Sequence, residues 1–363
     1  MSLRKHPVVT AVLPVGSRRR SVAGRVGRRL GARPTTPPPK PARRIAREER
    51  ELRKAWRRHR SEMLDVYLVS GYQDPRVNIQ SILGRHTLVR ALFGTAFESL
   101  MRDELEFAVE LNEEMRVRAR ELGVSLGVTM DADRRAGMQR VMAPIDAKAS
   151  TYAIRWRRAL DDRARRGRAP RRLRVLELAC GSANDYRALV DYGIAQFLDY
   201  TGIDLNPKNI ANAKEHFPDV DFREGSILSL PMADRSVDYV LAFDIFEHLS
   251  LKAMHRALAE AVRVCRRGMY IAFFRMTEKP DHVEQPRGRY HYNTLSAPQI
   301  RAFLEECYAA VQVISIDRYL KQQFAYGHTN NRMAYSVVAE KRRGTLRAAA
   351  LHSVRQLVTG RQK

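Results

Sequence analysis

The sequence has no apolar run long enough to cross a membrane, and it contains very little cysteine. A spanning helix needs about 18 or more uninterrupted apolar residues, and no stretch of this 363-residue chain approaches that length. The three cysteines, Cys180, Cys265 and Cys307, have the spacing of neither a metal site nor a disulfide framework. We therefore expect no bound metal and a reduced, cytoplasmic compartment.

Acidic residues are absent before Glu48, and residues 1–44 combine scattered arginines with clustered prolines. This composition predicts a disordered, basic, proline-rich tail over residues 1–44. Pro7 and Pro14 interrupt its short apolar stretch, which argues against a secretory signal peptide. An organelle transit peptide is the alternative interpretation of this segment.

The formal net charge of +25 is concentrated in residues 1–60, 154–174 and 341–363. The rest of the chain is mildly acidic, which disfavours a polyanion in a central cleft and makes nucleic acid the less favoured partner. Because 54 of the 65 basic residues are arginine, the codon usage of a GC-rich genome explains the basicity equally well.

Apolar residues recur at helical spacing through residues 45–168 and predict a helical domain or lid. Asp74 is the predicted cap of its second helix. The polar residues Asn78, Gln80, Arg85 and His86 of that helix could bind an acceptor substrate, but internal bonding or solvation explains them more simply. The four predicted helices cover residues 45–69, 74–93, 95–122 and 131–166.

Residues 343–363 carry apolar side chains on one helical face and arginines elsewhere. A basic amphipathic helix of this kind binds anionic membrane surfaces, so peripheral membrane contact is one expectation. Packing on the protein, or fraying, is the favoured alternative. The oligomeric state is left open.

Residues 173–185, LRVLELACGSAND, organise the domain predicted over residues 169–342. An apolar run broken by Glu177 predicts a buried parallel strand, and the small-residue turn 179–183 leads into a helix from Asn184. Such a turn lets backbone N–H groups approach a ligand in front of a helix N-terminus.

Three further strands follow at regular intervals. The first of these, the second strand of the domain, ends at Asp204. A carboxylate at this edge of a doubly wound sheet can accept hydrogen bonds from two ribose hydroxyls. The others are predicted over residues 221–227 and 236–244, and later strands over 269–274, 311–316 and 333–339.

Together these segments resemble class I S-adenosylmethionine-dependent methyltransferases, most closely their type 11 small-molecule branch, over about residues 173–342. The resemblance implies an α/β, Rossmann-like fold, with a seven-stranded, mostly parallel sheet whose last strand is antiparallel, preceded here by the α-helical segment. A nicotinamide dehydrogenase is disfavoured because the glycines of G-x-G-x-x-G are not matched around Gly181. The matching motifs are Glu177-x-Ala-x-Gly181-x-Ala, Gly202-Ile-Asp204, Gly225-Ser226, Leu230-Pro231, Val237-Asp-Tyr-Val and Phe246-Glu-His-Leu249.

The resemblance also implies S-adenosyl-L-methionine as the cofactor. Glu177 is expected near its amino group, Asp204 at its ribose, and Ser226, where the family usually has Asp, at its adenine. Ala179 and Ala183 replace two of the family's glycines, and we expect them to keep a negative φ. The predicted cofactor-binding residues are Glu177, Ala179, Cys180, Gly181, Ser182, Asp204, Leu205, Ser226, Ile227 and Asp244.

The end of the fourth strand faces the transfer site in this family. His248, just beyond it, is the candidate base because the ordinary pKa of histidine lies near neutral pH. Capping or packing on the next helix is the alternative role for His248. The predicted catalytic residues are His248, Asp244 and Glu247, and the predicted substrate-binding residues are Tyr290, His291, Tyr292 and Asn293.

The expected activity is methyl transfer from S-adenosylmethionine to an oxygen of a small-molecule or lipid-linked acceptor. Two other functions stay open at this point. One is an RNA methyltransferase that holds its substrate with the arginine-rich flanks. The other is a non-catalytic, methyltransferase-like scaffold that binds a protein or a membrane.

Overall fold

The computed structural model describes residues 50, 74–124, 132–168, 170–287, 290–329 and 331–341. The predicted tail at 1–44, the predicted helix at 45–69 and the predicted basic helix at 343–363 lie outside the described residues.

Seven strands form one sheet in the order β10-β11-β5-β4-β1-β2-β3. All pairings are parallel except those of β11, which runs antiparallel to both β10 and β5. The predicted seven-stranded, mostly parallel sheet with an antiparallel last strand is thus confirmed. The strands are β1 (Leu173–Leu178), β2 (Leu198–Asp204), β3 (Asp221–Glu224), β4 (Val237–Phe243), β5 (Cys265–Phe273), β10 (Ala310–Ser315) and β11 (Tyr335–Glu340).

Helices cover both faces of the sheet, and alternate residues of each strand point to opposite faces. Tyr239 and Leu241 of β4 belong to one apolar cluster, whereas Val240 and Ala242 belong to the other. The first cluster includes α1 (Ile79–Phe93), α4 (Asn184–Asp191) and α5 (Pro207–His216), and the second includes α6 (Leu251–Val264) and α7 (Ala297–Glu305).

Helix α1 lies directly on the sheet. Its N-cap is Asn78, whose side chain accepts from the backbone N–H groups of Gln80 and Ser81, so the predicted cap at Asp74 is wrong. The Gln80 side-chain amide donates to the backbone oxygens of Phe273 (3.1 Å) and Tyr335 (2.7 Å). These bonds satisfy a buried amide and fix α1 across β5 and β11.

Helices α2 (Glu98–Glu121) and α3 (Ala132–Arg163) form an antiparallel pair beside α1. Between α1 and α2, the buried Glu104 carboxylate accepts from Arg85 Nε at 2.9 Å and lies 2.5 Å from His86 Nε2. Burial alone would raise the pKa of Glu104, but the charges and hydrogen bonds of Arg85 and His86 together outweigh it and lower the pKa. Arg85 and His86 therefore bond inside the fold. The limits of the helical and sheet domains, 45–168 and 169–342, stay predictions.

Two features depart from the predicted strand pattern. Between β5 and α7 lie four two-residue strands, β6 (Met276–Thr277), β7 (Pro286–Arg287), β8 (Tyr290–His291) and β9 (Leu295–Ser296). Directly after β10 lies helix α8, Ile316–Phe324, which is capped by Ser315 and was not predicted from the sequence. Three apolar residues of α8, Ile316, Tyr319 and Leu320, are buried at helical spacing.

Candidate functional site

The carboxyl ends of β1, β2 and β4 meet at the centre of the sheet. From β1 the chain proceeds through β2 to β3 on one side, then returns to place β4 on the other side of β1. This reversal creates a crevice at the carboxyl edge between β1 and β4, where open α/β sheets bind ligands.

The turn after β1 has an unusual backbone conformation. Gly181 has a φ of +54°, and Ala179 and Ala183 have φ values of +55° and +67°. The expectation that both alanines keep a negative φ is therefore wrong. The left-handed conformation costs a residue with a Cβ atom about 1–2 kcal/mol, so the turn holds a shape that its sequence disfavours.

Asp204 closes this turn from the end of β2. Its Oδ2 atom accepts from the backbone N–H of Gly181 at 3.0 Å, and its Oδ1 atom accepts from the backbone N–H of Asn206 at 2.7 Å. The Asn209 side chain lies 3.3 Å from the same Oδ1 atom. Gly181 and Asp204 thus lie side by side, with the carboxylate oriented by three N–H donors.

Open space lies next to Gly181 but not next to Gly202. A Cβ atom at Gly181 would have no neighbour within 4 Å, whereas one at Gly202 would lie 2.7 Å from the Phe222 ring and 2.8 Å from Cys180 Sγ. The Cys180 side chain therefore packs behind the turn, and only its backbone borders the crevice. The open side of Gly181 leaves room for a ligand to approach the backbone.

Glu177 is enclosed within the sheet. It is 2% exposed, and its Oε2 atom accepts from the Tyr200 hydroxyl at 2.6 Å. Burial, followed by the negative charge of Asp185, raises the pKa of Glu177 well above its usual value. The contact of Glu177 with a cofactor amino group stays a prediction.

The remaining predicted cofactor residues lie in the turns around this crevice. Ser226 Oγ accepts from the Leu228 backbone N–H at 3.1 Å, and Ser182 Oγ lies 3.3 Å from the Asn212 side-chain amide. Ile227 is buried and Leu205 is half-buried. Both serine hydroxyls thus already have a partner within the protein.

The turn after β4 contains buried carboxyl oxygens without partners. Asp244 has a φ of +50°, and its Oδ1 atom has no hydrogen bond. Burial, then the charge of Asp185, raises the pKa of Asp244 to about 7. Glu247 is fully buried: its Oε1 atom accepts from the Arg275 backbone N–H at 3.1 Å, while Oε2 has no partner.

His248 is half-buried in this turn, and its protonation pattern follows from one contact. Its Nδ1 atom lies 3.2 Å from the backbone oxygen of His291. A carbonyl oxygen only accepts, so Nδ1 carries the proton and the lone pair of the neutral ring is on Nε2. Burial lowers the pKa of His248 and keeps the ring neutral near pH 7.

The structure brings three of the four predicted substrate residues close to His248. The ring centroids of Tyr290 and Tyr292 lie 6.1 and 6.3 Å from that of His248, and His291 supplies the carbonyl contact. Asn293 differs, because it is fully buried and its side chain bridges the Leu249 oxygen and the Gln285 N–H. Asn293 therefore anchors the segment that carries the tyrosines.

The sequence reasoning missed Asp185 and its partner Ser81. The Ser81 hydroxyl on α1 donates to Asp185 Oδ1 at 2.8 Å, and both residues line a small cavity with Arg85 and Phe243. Burial raises the pKa of Asp185 to about 6. The position of Asp185 in the first turn of the helix after the glycine turn was a signal for it, whereas nothing in the sequence connected Ser81 to this edge.

The crevice is suited to a positively charged ligand. Burial raises the pKa of five carboxyl groups around it, and a bound cation would favour their ionised form. The unpartnered Asp244 oxygen and the open side of Gly181 fit a cofactor that carries an ammonium and a sulfonium group. The five groups are Glu177, Asp185, Asp204, Asp244 and Glu247.

The described residues contain neither a cluster of metal-ligating side chains nor a helix suited to a bilayer. No group of three or more His, Cys, Asp or Glu side chains is arranged to hold a metal ion. Among the same residues, no helix is both long and apolar enough to cross a bilayer.

Residues 176–273 match the type 11 family model described as "Methyltransferase domain". A probable S-adenosylmethionine-dependent methyltransferase of Mycolicibacterium smegmatis is 31% identical over 134 residues, 36% of this chain and 49% of that protein. A probable phthiotriol/phenolphthiotriol dimycocerosates methyltransferase of Mycobacterium ulcerans is 35% identical over 109 residues, 28% of this chain and 38% of that protein. The chain therefore spans about half, or less, of these relatives' length.

Solved structures match about half of the chain. A methyltransferase from Methanosarcina mazei is 15% identical, with a TM-score of 0.37, and the match covers 47% of this chain and 92% of that one. One from Mesorhizobium loti is also 15% identical, with a TM-score of 0.37 and coverage of 50% and 98%. The fold assignment therefore rests on the strand order of the sheet and not on these structural matches.

Proposed function

We propose that residues 176–273, which match the methyltransferase family model, form an S-adenosylmethionine-dependent methyltransferase domain that methylates an oxygen of a small-molecule or lipid-linked acceptor. The observation that carries the proposal is the arrangement of the two turns. Gly181 and Asp204 lie together at one side of the crevice, and the unpartnered Asp244 carboxyl and the neutral His248 ring follow the strand on the other side.

The residues around Gly181 would hold the cofactor. The backbone of the 179–183 turn would lie against its methionine part, and Asp204 would accept from the ribose hydroxyls. When bound, S-adenosylmethionine supplies a methyl group on a positively charged sulfur. Burial raises the pKa of both Asp244 and Asp185, so each carboxyl tends to keep its proton before the cofactor binds. The positive charge of the bound sulfur would favour their ionised forms, and the resulting negative charge would offset it.

His248 would act on the acceptor. With its proton fixed on Nδ1 by the His291 carbonyl, Nε2 can take a proton from an acceptor hydroxyl. A positioned base of this kind contributes about 10²–10⁴-fold to the rate. Holding donor and acceptor in line would supply a further share of the acceleration.

A lipid-linked acceptor is part of the proposal because one relative is named for dimycocerosates. The basic segment 343–363 would then provide peripheral contact with a membrane of anionic lipids, beside an otherwise cytoplasmic location. Flotation of the full chain with phosphatidylglycerol vesicles, compared with a chain ending at residue 342, tests this contact. Equal flotation of the two chains would contradict it.

Incubation with S-adenosylmethionine labelled in its methyl group tests the activity. Extracts are separated into metabolite, lipid and RNA fractions, and we expect label in the metabolite or lipid fraction. Label in RNA, with affinity that falls steeply with salt, would favour the RNA methyltransferase instead. Saturable cofactor binding without transfer to any fraction would favour the scaffold.

A further inference from the structure

His248 lies in a recess that is built from aromatic side chains. The His248 ring centroid is 5.2 Å from that of Phe274, and the Phe274 and Tyr292 centroids are 5.4 Å apart. Tyr290 completes the set at 6.1 Å from His248. We call these four residues, His248, Phe274, Tyr290 and Tyr292, the aromatic recess.

All four rings of the aromatic recess are half-buried, although the strands beneath them are closely packed. Apolar rings that only filled the core would be fully enclosed, as Phe246 and Phe273 are in the adjacent cluster. The spacings lie within the 4.5–7 Å range at which aromatic rings attract each other. The recess therefore presents partly exposed ring surface next to the candidate base.

Backbone contacts hold the recess in place. β8, which contains Tyr290, pairs antiparallel with β7, and the Tyr292 N–H donates to the Gln285 oxygen at 2.8 Å. The Asn293 N–H donates to the backbone oxygen of Glu247 at 3.0 Å. These contacts connect the segment to the turn that carries His248, so the rings are positioned relative to the base before any acceptor arrives.

A positive charge borders the recess. The Arg275 guanidinium lies 4.7 Å from the centroid of the Tyr292 ring, and its Nε atom donates to Thr294 Oγ1 at 2.8 Å. A cation fixed next to the rings favours an acceptor oxygen that becomes negative during the reaction. It also attracts the electron-rich face of an aromatic ring.

The strength of the base selects among hydroxyl groups. Burial lowers the pKa of His248, which makes its ring a weaker base than an exposed histidine. A phenol has a pKa near 10, whereas water, whose acidity resembles that of an aliphatic hydroxyl, has a pKa of about 15.7. Proton transfer to a weak base is therefore far less uphill from a phenol.

We propose that the acceptor is a planar phenol, which lies against the aromatic recess with its hydroxyl at His248 Nε2. This inference rests on the proposed function. As the phenol oxygen forms a bond to the methyl carbon, His248 Nε2 takes the hydroxyl proton. The carbon–sulfur bond breaks and its electron pair stays on sulfur, so the sulfonium becomes a neutral thioether. The products are an aryl methyl ether, S-adenosylhomocysteine and a protonated His248, which returns its proton to solvent.

Calorimetric titration of the full chain with S-adenosylhomocysteine present tests the inference without turnover. The ligands are 2-naphthol and its saturated counterpart decahydro-2-naphthol. We expect 2-naphthol to bind at least tenfold more tightly than the saturated alcohol. Equal affinity for the two ligands, or tighter binding of the saturated alcohol, would overturn the inference.

Variants identify the rings that are responsible. Tyr290→Leu and Tyr292→Leu should each weaken 2-naphthol binding about three- to tenfold, as expected from the loss of one ring pair. Phe107→Leu is the matched control, because Phe107 stacks on Tyr152 at 4.7 Å between α2 and α3. A uniform response of all three variants would contradict the assignment, and if a variant unfolds, the ligand comparison on the unaltered chain decides.

Transfer assays separate this inference from the proposed function. Methylation of aliphatic alcohols but not of phenols would overturn the phenol inference and leave the methyltransferase proposal standing. Absence of cofactor binding and of all transfer would remove the proposed function, whereas the 2-naphthol titration would still decide whether the recess binds a phenol.

Discussion

The Asp204 carboxyl in the turn after β2 and the Asp244 carboxyl in the turn after β4 have opposite surroundings. Asp204, after β2, is surrounded by three N–H donors from Gly181, Asn206 and Asn209. Asp244, after β4, has a buried oxygen with no partner and a strained φ of +50°. The Asp204 carboxylate is hydrogen-bonded within the protein, whereas the Asp244 carboxyl has an oxygen that is available to accept from a ligand.

This difference suggests that the two turns bind different parts of the cofactor. A fixed carboxylate suits the ribose, whose position must not change during the reaction, because its orientation is set in advance. An unpartnered carboxyl suits a transient positive charge, because the ion pair forms only when the donor is bound. Four experiments test this contrast between the two turns.

The largest effect is expected on the β4 side, at the candidate base. His248→Ala should lower turnover at least a hundredfold and leave cofactor affinity unchanged, because it removes proton transfer but no donor contact. Turnover is measured with saturating labelled S-adenosylmethionine, and affinity by calorimetry. His255→Ala, at an exposed histidine on α6, is the control. Near-normal turnover of His248→Ala would remove His248 as the base.

On the β2 side, Asp204→Ala should weaken S-adenosylmethionine binding at least tenfold. The substitution removes both the proposed ribose acceptor and the group that binds the Gly181 N–H. Asp204→Asn retains one oxygen acceptor and should have a smaller effect. Asp221→Asn, at the start of β3 on the opposite edge, is the control. Unchanged affinity of Asp204→Ala would contradict the assignment of this turn.

The two turns should also differ in their response to pH. Ionised Asp244 attracts a cationic cofactor, so affinity should rise several-fold from pH 5 to pH 8, through the Asp244 pKa of about 7. The stability of the ligand-free protein should change in the opposite direction. The folded state holds the Asp244 proton more tightly than the unfolded state, whose Asp pKa is about 3.9, so this group destabilises the fold increasingly as pH rises from about 4 to 7.

Calorimetry at constant ionic strength measures the first effect, and thermal unfolding the second. Asp244→Asn should flatten the pH dependence of affinity between pH 6 and 8. Asp185, with a pKa raised to about 6, faces the same crevice and accounts for a smaller change at lower pH. An unaltered slope in Asp244→Asn would show that a different group controls binding.

The smallest effect concerns the backbone of the β1 turn. Ala179→Gly and Ala183→Gly should each raise the free energy of unfolding by about 0.5–1 kcal/mol, because glycine relieves a left-handed φ but gains entropy in the unfolded chain. Ala257→Gly, in the middle of α6, should lower it by a similar amount. Chemical denaturation measures all three. Destabilisation by both turn substitutions would mean that the alanine methyl groups contribute more by packing than they lose by strain.

Much of the fold was predictable because the pattern of apolar residues and the order of strands and helices along the chain indicate the same sheet. Strand β1 with its glycine turn is a weak signal alone, but strand β2 follows at the expected distance and ends at Asp204, and together they predict the centre of the sheet. Helix α8 was missed because it is short and directly follows β10, where its apolar residues could equally extend a strand. The left-handed alanines were missed because tertiary contacts, rather than intrinsic preference, set their φ.

The site was predictable only where its residues are close in sequence to a motif. Asp244, Glu247 and His248 were proposed as site residues from their place after β4, and their different surroundings were not predicted. The other features of the candidate site depend on contacts between distant segments. Examples are the hydrogen bond between Ser81 and Asp185 and the position of Phe274 beside His248. Such contacts depend on how helices and loops pack over the sheet, which periodicity does not specify.

The Gln80 side chain has a consequence for the order in which the molecule forms during its synthesis. It joins the oxygens of Phe273 and Tyr335, so a helix made early is held by the last strand of the sheet. A nascent chain cannot complete this face until the ribosome has released residues beyond Tyr335. Until then the Gln80 bond to β5 can form but its bond to β11 cannot, so the attachment of α1 to the sheet is completed only after β11 has been synthesised.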